Sequence, residues 1–165
     1  MAVGVEEVEA KLAVAQAYAR LDQTAQACIA LTEARRLHNT TDQSESTIYA
    51  MPAWRMALSS AYVYALLGDV KGCDKEHSAV VPPDTVKRWE PQREIQSAVA
   101  YTRSGDIASG AVIANKVMHK TPDEERSIVL KEMYMEATKR TRAVVSSSVD
   151  RNRLYRYRGN SWMDV

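Results

Sequence analysis

Histidine is the side chain of this protein best suited to bind a metal or transfer a proton near neutral pH, and the sequence has three: His38, His77 and His119. No two of them have the HExxH spacing that places both imidazoles on one helix face, and no cysteine or carboxylate cluster completes a ligand set. We therefore predict no metal site and no cofactor. His77, Trp54, Trp89 and Met133 are interpreted as core residues.

Serine beside glycine is a second arrangement that could do chemistry, because a Gly-x-Ser-x-Gly turn exposes a nucleophile. Ser104 and Ser109 flank Gly105 and Gly110 but do not form that motif. Neither glycine belongs to a GxGxxG sequence or a phosphate-binding loop. We therefore predict that the protein is not an enzyme and has no catalytic residues.

Cysteine content and hydropathy indicate the compartment. Cys28 and Cys73 each lie in a helical pattern without a ligand cluster, so we predict that both are small, buried core residues. No apolar run approaches the roughly 18 residues that span a bilayer, and the N-terminal segment is acidic where a secretory signal is basic. We expect a soluble, cytoplasmic protein with no membrane partner.

The C-terminal end of the chain is basic. From Lys139 onward there are seven Lys and Arg against two Asp, whereas residues 1–138 hold 15 bases and 19 acids. The bases alternate with Tyr155, Tyr157 and Trp162, a pattern that suits phosphate contacts and stacking on bases. A flexible terminus and an arm docked on the acidic body are the two other interpretations. We divide the chain into a domain, 1–143, and a basic tail, 144–165.

Apolar residues recur every three or four positions, which predicts an all-α protein. The pairs Gly68-Asp69 and Gly105-Asp106 each end one helix and start the next, and Pro122 with the acids after it marks a further start. We expect helices at about 5–21, 23–37, 51–67, 70–80, 90–104, 106–119 and 122–143.

A pattern of small residues occurs three times. When Tyr18, Tyr64 and Tyr101 are aligned, the residues three before and nine after each tyrosine are small, and a turn residue follows after four. Small residues let two helices approach to about 8–10 Å, so we predict helical hairpins. Gly105 would make a turn and Gly110 would admit a neighbouring helix. The predicted packing residues are Ala15, Tyr18, Ala27, Ala61, Tyr64, Cys73, Ala98, Tyr101, Gly105 and Gly110.

This pattern resembles the tetratricopeptide repeat over about residues 11–37, 54–80 and 91–120. The resemblance implies a right-handed superhelix of about three helical hairpins, with the helix at 122–143 as a cap. The tyrosines lie 46 and 37 residues apart, which departs from the usual period of about 34. If the apolar face of the last helix is too wide for one hairpin to cover, that helix becomes a dimer surface instead.

In this repeat register the first helices of the hairpins line a concave face. Its polar residues are the predicted ligand-binding set: Gln16, Arg20, Arg55, Tyr62, Gln92, Thr102 and Arg103. Three arginines on one face favour an acidic peptide or another anionic ligand, because guanidinium groups bind carboxylate or phosphate through two hydrogen bonds. Alternatively, each arginine pairs with a neighbouring acid or faces solvent.

Residues 51–69 and 103–133 also resemble the C-terminal helical-repeat half of actinobacterial helix-turn-helix transcription regulators. The resemblance implies a non-catalytic module that binds a protein or peptide and dimerises, as the sensor region of such a regulator. The DNA-binding module of that family is absent from this sequence, so we expect nucleic-acid binding only through an absent module or, weakly, through the tail. The alternative is a free-standing adaptor or scaffold protein.

Overall fold

Helices build the structure throughout its described parts. The computed structural model describes residues 4–40, 51–79 and 89–139. These ranges contain seven α-helices and no strand, so the prediction of an all-α fold is confirmed. The helices are α1 (Val5–Arg20), α2 (Thr24–Thr40), α3 (Ala53–Leu67), α4 (Val70–Ala79), α5 (Trp89–Ser104), α6 (Ile107–Lys120) and α7 (128–139). None of them combines the length and apolarity that a membrane-crossing helix needs.

Successive helices pack in pairs, α1 with α2, α3 with α4 and α5 with α6. The first helices of the pairs lie side by side, with α3 between α1 and α5. Because α3 has neighbours on several sides, it buries residues around most of its circumference, whereas α1 buries the narrow stripe Val8, Leu12, Ala15 and Ala19. The core therefore runs through the middle helix and joins the three pairs.

Small side chains line the contact within each helix pair. The six aligned positions are all buried: Ala15, Ala27, Ala61, Cys73, Ala98 and Gly110. A residue with no side chain or a short one lets the backbones of facing helices come close, which longer side chains at these positions would prevent. The third pair has the smallest residue at this contact, because its position on α6 is a glycine.

The turn within each pair contains a residue with positive φ, four positions after the aligned tyrosine. The φ values are 57° at Asp22, 73° at Gly68 and 105° at Gly105. Aspartate tolerates the left-handed region, but a φ of 105° is open almost only to glycine. In the second and third pairs the next residue caps the following helix: Asp69 accepts a hydrogen bond from the N–H of Gly72 at 2.9 Å, and Asp106 accepts one from the N–H of Ser109 at 3.1 Å.

We expect Gly105→Ala to lower the free energy of unfolding by about 1–2 kcal/mol. A Cβ at this position would meet no atom within 4 Å, so the loss comes from the backbone conformation alone. The measurement is urea unfolding of the variant and of Gly4→Ala, the matched control. Gly4 has a φ of −79°, which alanine adopts without strain, so this control should lose only the small preference for glycine at the N-cap of α1. Equal losses of unfolding free energy in the two variants would contradict the assignment of the effect to the backbone conformation of Gly105.

The last helix begins later than the sequence predicts. Instead of starting at residue 122, the chain forms a 3₁₀ turn at Asp123–Glu125, and α7 begins at 128. The Arg126 guanidinium donates to the carbonyl of Thr121 at 2.8 Å and to that of Met118, which ties the connection back to α6. Ser127 caps the new helix, since its hydroxyl accepts from the N–H of Leu130 at 3.2 Å. The predicted end at 143 lies outside the described residues, as does the tail.

The two cysteines differ in burial, so the prediction that both lie in the core is wrong for Cys28. Cys28 is exposed because it lies on the outer side of α2, next to buried Ala27. Cys73 is fully buried, and burial raises the pKa of its thiol to about 12, with smaller contributions from nearby carboxylates such as Asp74. Cys73 therefore stays a protonated thiol.

Helix α7 covers one side of the α5–α6 pair. It buries Leu130, Met133 and Ala137. The Thr102 hydroxyl of α5 donates to the carbonyl of Ala137 at 2.9 Å, and Tyr134 donates to the Asn115 side chain of α6 at 3.0 Å. α7 is therefore fastened to both helices of the pair, and its remaining face borders the site described next.

Candidate binding cleft

Four helices, α1, α3, α5 and α7, border an open cleft of about 430 Å³, here termed the inner cleft. Its lining residues are Gln16, Arg20, Trp54, Arg55, Leu58, Ser59, Tyr62, Gln92, Gln96, Val129, Glu132 and Met133. A second cleft of about 640 Å³ adjoins it and shares Arg20, Tyr62 and Glu132. The remaining residues of this adjoining cleft are on α7: Met135, Glu136 and Lys139. The inner faces of the first helices therefore meet α7 across a continuous depression.

Five of the seven predicted ligand-binding residues line the inner cleft. They come from three different helices: Gln16, Arg20, Arg55, Tyr62 and Gln92. The sequence register located them because residues at equivalent positions of α1, α3 and α5 face the same side when the helices pack side by side.

Thr102 and Arg103 do not line the inner cleft, so their prediction as ligand-binding residues is corrected. Thr102 is buried between α5 and α7, where its hydroxyl bonds the carbonyl of Ala137. The Arg103 side chain is only 12% exposed and pairs with Asp22 at 3.0 Å and with Glu136 at 2.6 Å. Both residues form contacts within the protein because α7 packs along this part of α5, which the repeat register predicted to face a ligand.

Of the three arginines predicted to bind an anionic ligand together, two are paired with carboxylates. Arg55 pairs with Glu9 at 2.5 Å, and Arg103 is paired as described. The Arg20 guanidinium has no carboxylate within 4.0 Å among the described residues. It donates to the Tyr62 hydroxyl at 3.2 Å and lies 5.5 Å from the centre of that ring. Arg20 is therefore held in place at the cleft by an aromatic contact and keeps its charge available.

Tyr62 is the buried partner that positions Arg20. Burial raises the pKa of its hydroxyl, and the negative charges of Glu136 and Glu132 act in the same direction, against the opposing effect of Arg20. The phenol therefore remains protonated at neutral pH. A protonated phenol can accept the hydrogen bond from Arg20 and donate its own proton to a bound group.

The apolar wall of the inner cleft was not among the predicted site residues. Trp54, Leu58 and Met133 form it, and the sequence interpretation placed Trp54 and Met133 in the core. Met133 is buried, whereas Trp54 is only half-buried and packs edge-on against Trp89 with ring centres 6.3 Å apart. Trp54 and Leu58 belong to α3 and Met133 belongs to α7, so the wall forms only where these two helices meet.

Gln96 forms the buried polar part of the lining, and sequence reasoning missed it as well. It is 2% exposed, and its side-chain oxygen accepts a hydrogen bond from His77 Nε2 on α4 at 2.9 Å. His77 is itself buried, with Trp89 packed edge-on at 6.4 Å. Burial lowers the pKa of His77, and the hydrogen bond to Gln96 opposes this only in part. His77 is a core histidine whose hydrogen bond reaches the cleft.

The low pKa of His77 predicts a loss of stability in weak acid. The unfolded chain binds a proton at this histidine near pH 6.5, whereas the folded chain binds it only at lower pH. Between these values the unfolded state holds more protons, so the free energy of unfolding falls as the pH drops below 6.5. We expect wild type to lose more stability between about pH 7.5 and about pH 5.5 than His77→Gln, which cannot titrate. Urea unfolding at both pH values measures this, and parallel losses would contradict it.

Neither metal ligands nor a relative identifies an activity for the cleft. Among the described residues, no group of three or more His, Cys, Asp or Glu is placed to hold a metal ion. Comparison of the chain with family models, curated proteins and solved structures found no match. What the cleft can do follows from its geometry and chemistry.

Proposed function

We propose that this protein is a non-catalytic module that binds a peptide or protein segment in the inner cleft. The observation that carries the proposal is the convergence of polar residues from α1, α3 and α5 on one cleft that also has an apolar wall. A concave site with a few polar groups and an apolar wall is the usual form of a ligand site. The cleft has the parts that an extended peptide needs.

Three kinds of side chain match three parts of a peptide. The amides of Gln16, Gln92 and Gln96 can hydrogen-bond the backbone of a peptide, since each carries both donors and an acceptor. The apolar wall can take an aliphatic or aromatic side chain. Arg20 can pair with a carboxylate, which favours an acidic residue in the ligand.

The wider role that we propose rests on the sequence resemblance. In this proposal the helix pairs form a right-handed superhelix of tetratricopeptide type, and the module is the sensor and dimerisation region of a bacterial helix-turn-helix regulator acting in the cytoplasm. The recurrence of the turn residue at one register position and the small buried contacts within each pair support the repeat interpretation. Exposed Ile128 and Met135 on α7, at 77% and 54%, are consistent with contact to another chain.

Selection from a display library of random peptides of about 12 residues, followed by calorimetry, tests the binding proposal. We expect enriched peptides whose affinity falls about tenfold or more in Trp54→Ala and in Arg20→Gln. Arg36→Gln is the matched control, since Arg36 lies on the exposed surface of α2 and pairs only with Glu33 among the described residues. Failure to enrich any peptide, or equal affinity in all three variants, would overturn the proposal.

Light scattering of the purified chain at two concentrations tests the dimerisation part separately. We expect a dimer that dissociates in Ile128→Glu, because a charge on an exposed apolar side chain opposes burial in an interface. A monomer at both concentrations for the wild-type chain would contradict dimerisation and would leave the binding proposal standing.

A further inference from the structure

Gln96 is an unusual member of the cleft lining because it is almost completely buried. Its side-chain oxygen is taken by His77, and its amide NH₂ group makes no hydrogen bond to any other described residue. An acceptor on a ligand would give this amide group a partner that the described residues do not supply, which would stabilise the complex. The orientation of the Gln96 side-chain amide therefore affects which ligand groups the cleft binds.

His77 determines that direction. A carbonyl oxygen can only accept, so His77 Nε2, at 2.9 Å from the Gln96 oxygen, must carry a hydrogen. The neutral imidazole then has its acceptor at Nδ1. The Cys73 sulfur lies 3.9 Å from both ring nitrogens, so it does not distinguish between the two tautomers. The hydrogen bond with Gln96 is therefore the contact that fixes the Nε2–H tautomer of His77.

We infer that Gln96 contacts the ligand as a hydrogen-bond donor and that its partner is a backbone carbonyl oxygen of a bound peptide. The inference rests on the proposed function and names the group that the buried part of the cleft recognises. A ligand N–H that faced the Gln96 amide would place two hydrogen-bond donors against each other without an acceptor. In a buried site this mismatch discriminates strongly against such a ligand. A carboxylate is better placed at Arg20, since burying it against a neutral amide removes it from water without a countercharge.

His77 is accordingly a positioning residue, and Gln96 is a specificity-determining residue. Gln96→Glu replaces the donor by an acceptor and should lower peptide affinity by about tenfold or more. Gln26→Glu is the matched control, because it makes the same substitution on the exposed surface of α2, outside the cleft, and leaves Gln96 and His77 in place. His77→Gln keeps a side-chain N–H that can donate to Gln96 and should retain affinity, whereas His77→Leu should lose it.

Nuclear magnetic resonance of the ¹⁵N-labelled full chain tests the inference without a known ligand, with N-methylacetamide as the probe of a peptide carbonyl. We expect the His77 nitrogens to show the Nε2–H tautomer. We also expect the Gln96 side-chain amide signals to shift saturably with N-methylacetamide. Sodium acetate is the carboxylate probe, and it should shift the Arg20 guanidinium signal while leaving the Gln96 amide unchanged.

The outcomes separate the inference from the proposed function. The Nδ1–H tautomer, unmoved Gln96 signals, or peptides that bind Gln96→Glu as tightly as wild type would each overturn the donor role and leave peptide binding standing. Loss of affinity in His77→Gln equal to that in His77→Leu would overturn the positioning role. A saturable Gln96 shift in a chain that enriches no peptide would support the donor role and overturn peptide binding.

Discussion

Gly110→Ala is expected to lower the free energy of unfolding by about 3 kcal/mol, the upper end of the usual range for overpacking. A Cβ at this position would lie 2.1 Å from the Thr102 hydroxyl oxygen, 2.8 Å from the Ala98 carbonyl oxygen and 3.0 Å from the Thr102 backbone nitrogen. Two of these atoms belong to the α5 backbone, so no change of rotamer removes the overlap. α5 and α6 must move apart, which opens the core along their contact.

Urea unfolding of Gly110→Ala beside Ala108→Leu measures this effect. Ala108 is exposed on the same helix, so the added bulk there points into solvent and should change stability little. Adding Thr102→Ala to Gly110→Ala removes the hydroxyl contact but leaves the contact with the Ala98 carbonyl and also removes the hydrogen bond to Ala137, so it should restore at most part of the loss. Wild-type stability in Gly110→Ala would contradict the close approach of the two helices.

We expect Arg103→Met to lower the free energy of unfolding by about 2 kcal/mol, a value typical of hydrogen bonds to charged groups. The side chain is 12% exposed and bonds the carboxylates of Asp22 and Glu136, which joins the α1–α2 turn, α5 and α7. Methionine retains the apolar stem but leaves the largely buried Glu136 carboxylate without this cation. Asp22 contributes less because it is 76% exposed and screened by water.

Arg36→Met is the control for this prediction, because the same substitution there removes an ion pair on the exposed surface of α2 and should change stability little. Hydrogen exchange locates the effect, since loss of the Glu136 contact should speed amide exchange in α7 more than in α2. Equal unfolding free energies for the two arginine variants, or unchanged exchange in α7, would contradict the role of Arg103.

Much of the fold could be predicted from local features of the sequence. The spacing of apolar residues indicates helices, because side chains three or four apart share one helix face. Gly68 and Gly105 mark turns because few other residues adopt their backbone angles. The start of α7 was missed because Pro122 and the acids that follow suit a helix start, whereas Arg126 bonds back to α6 and delays it. Local sequence preference is a weak guide to where a helix begins when a long side chain forms hydrogen bonds with another helix.

The sequence by itself determined the helical class, the pairing of neighbouring helices and the register that places Arg20, Arg55 and Tyr62 on one side, because these depend on residues close together in the chain. Only the tertiary structure decided which arginine keeps a free charge, since Arg55 pairs with Glu9 and Arg103 with Asp22 and Glu136 across long separations. The same holds for the hydrogen bond from His77 to Gln96, which joins two helices at the cleft. Charge pairing and burial depend on distances between helices, and those distances are set by the packing of the whole core.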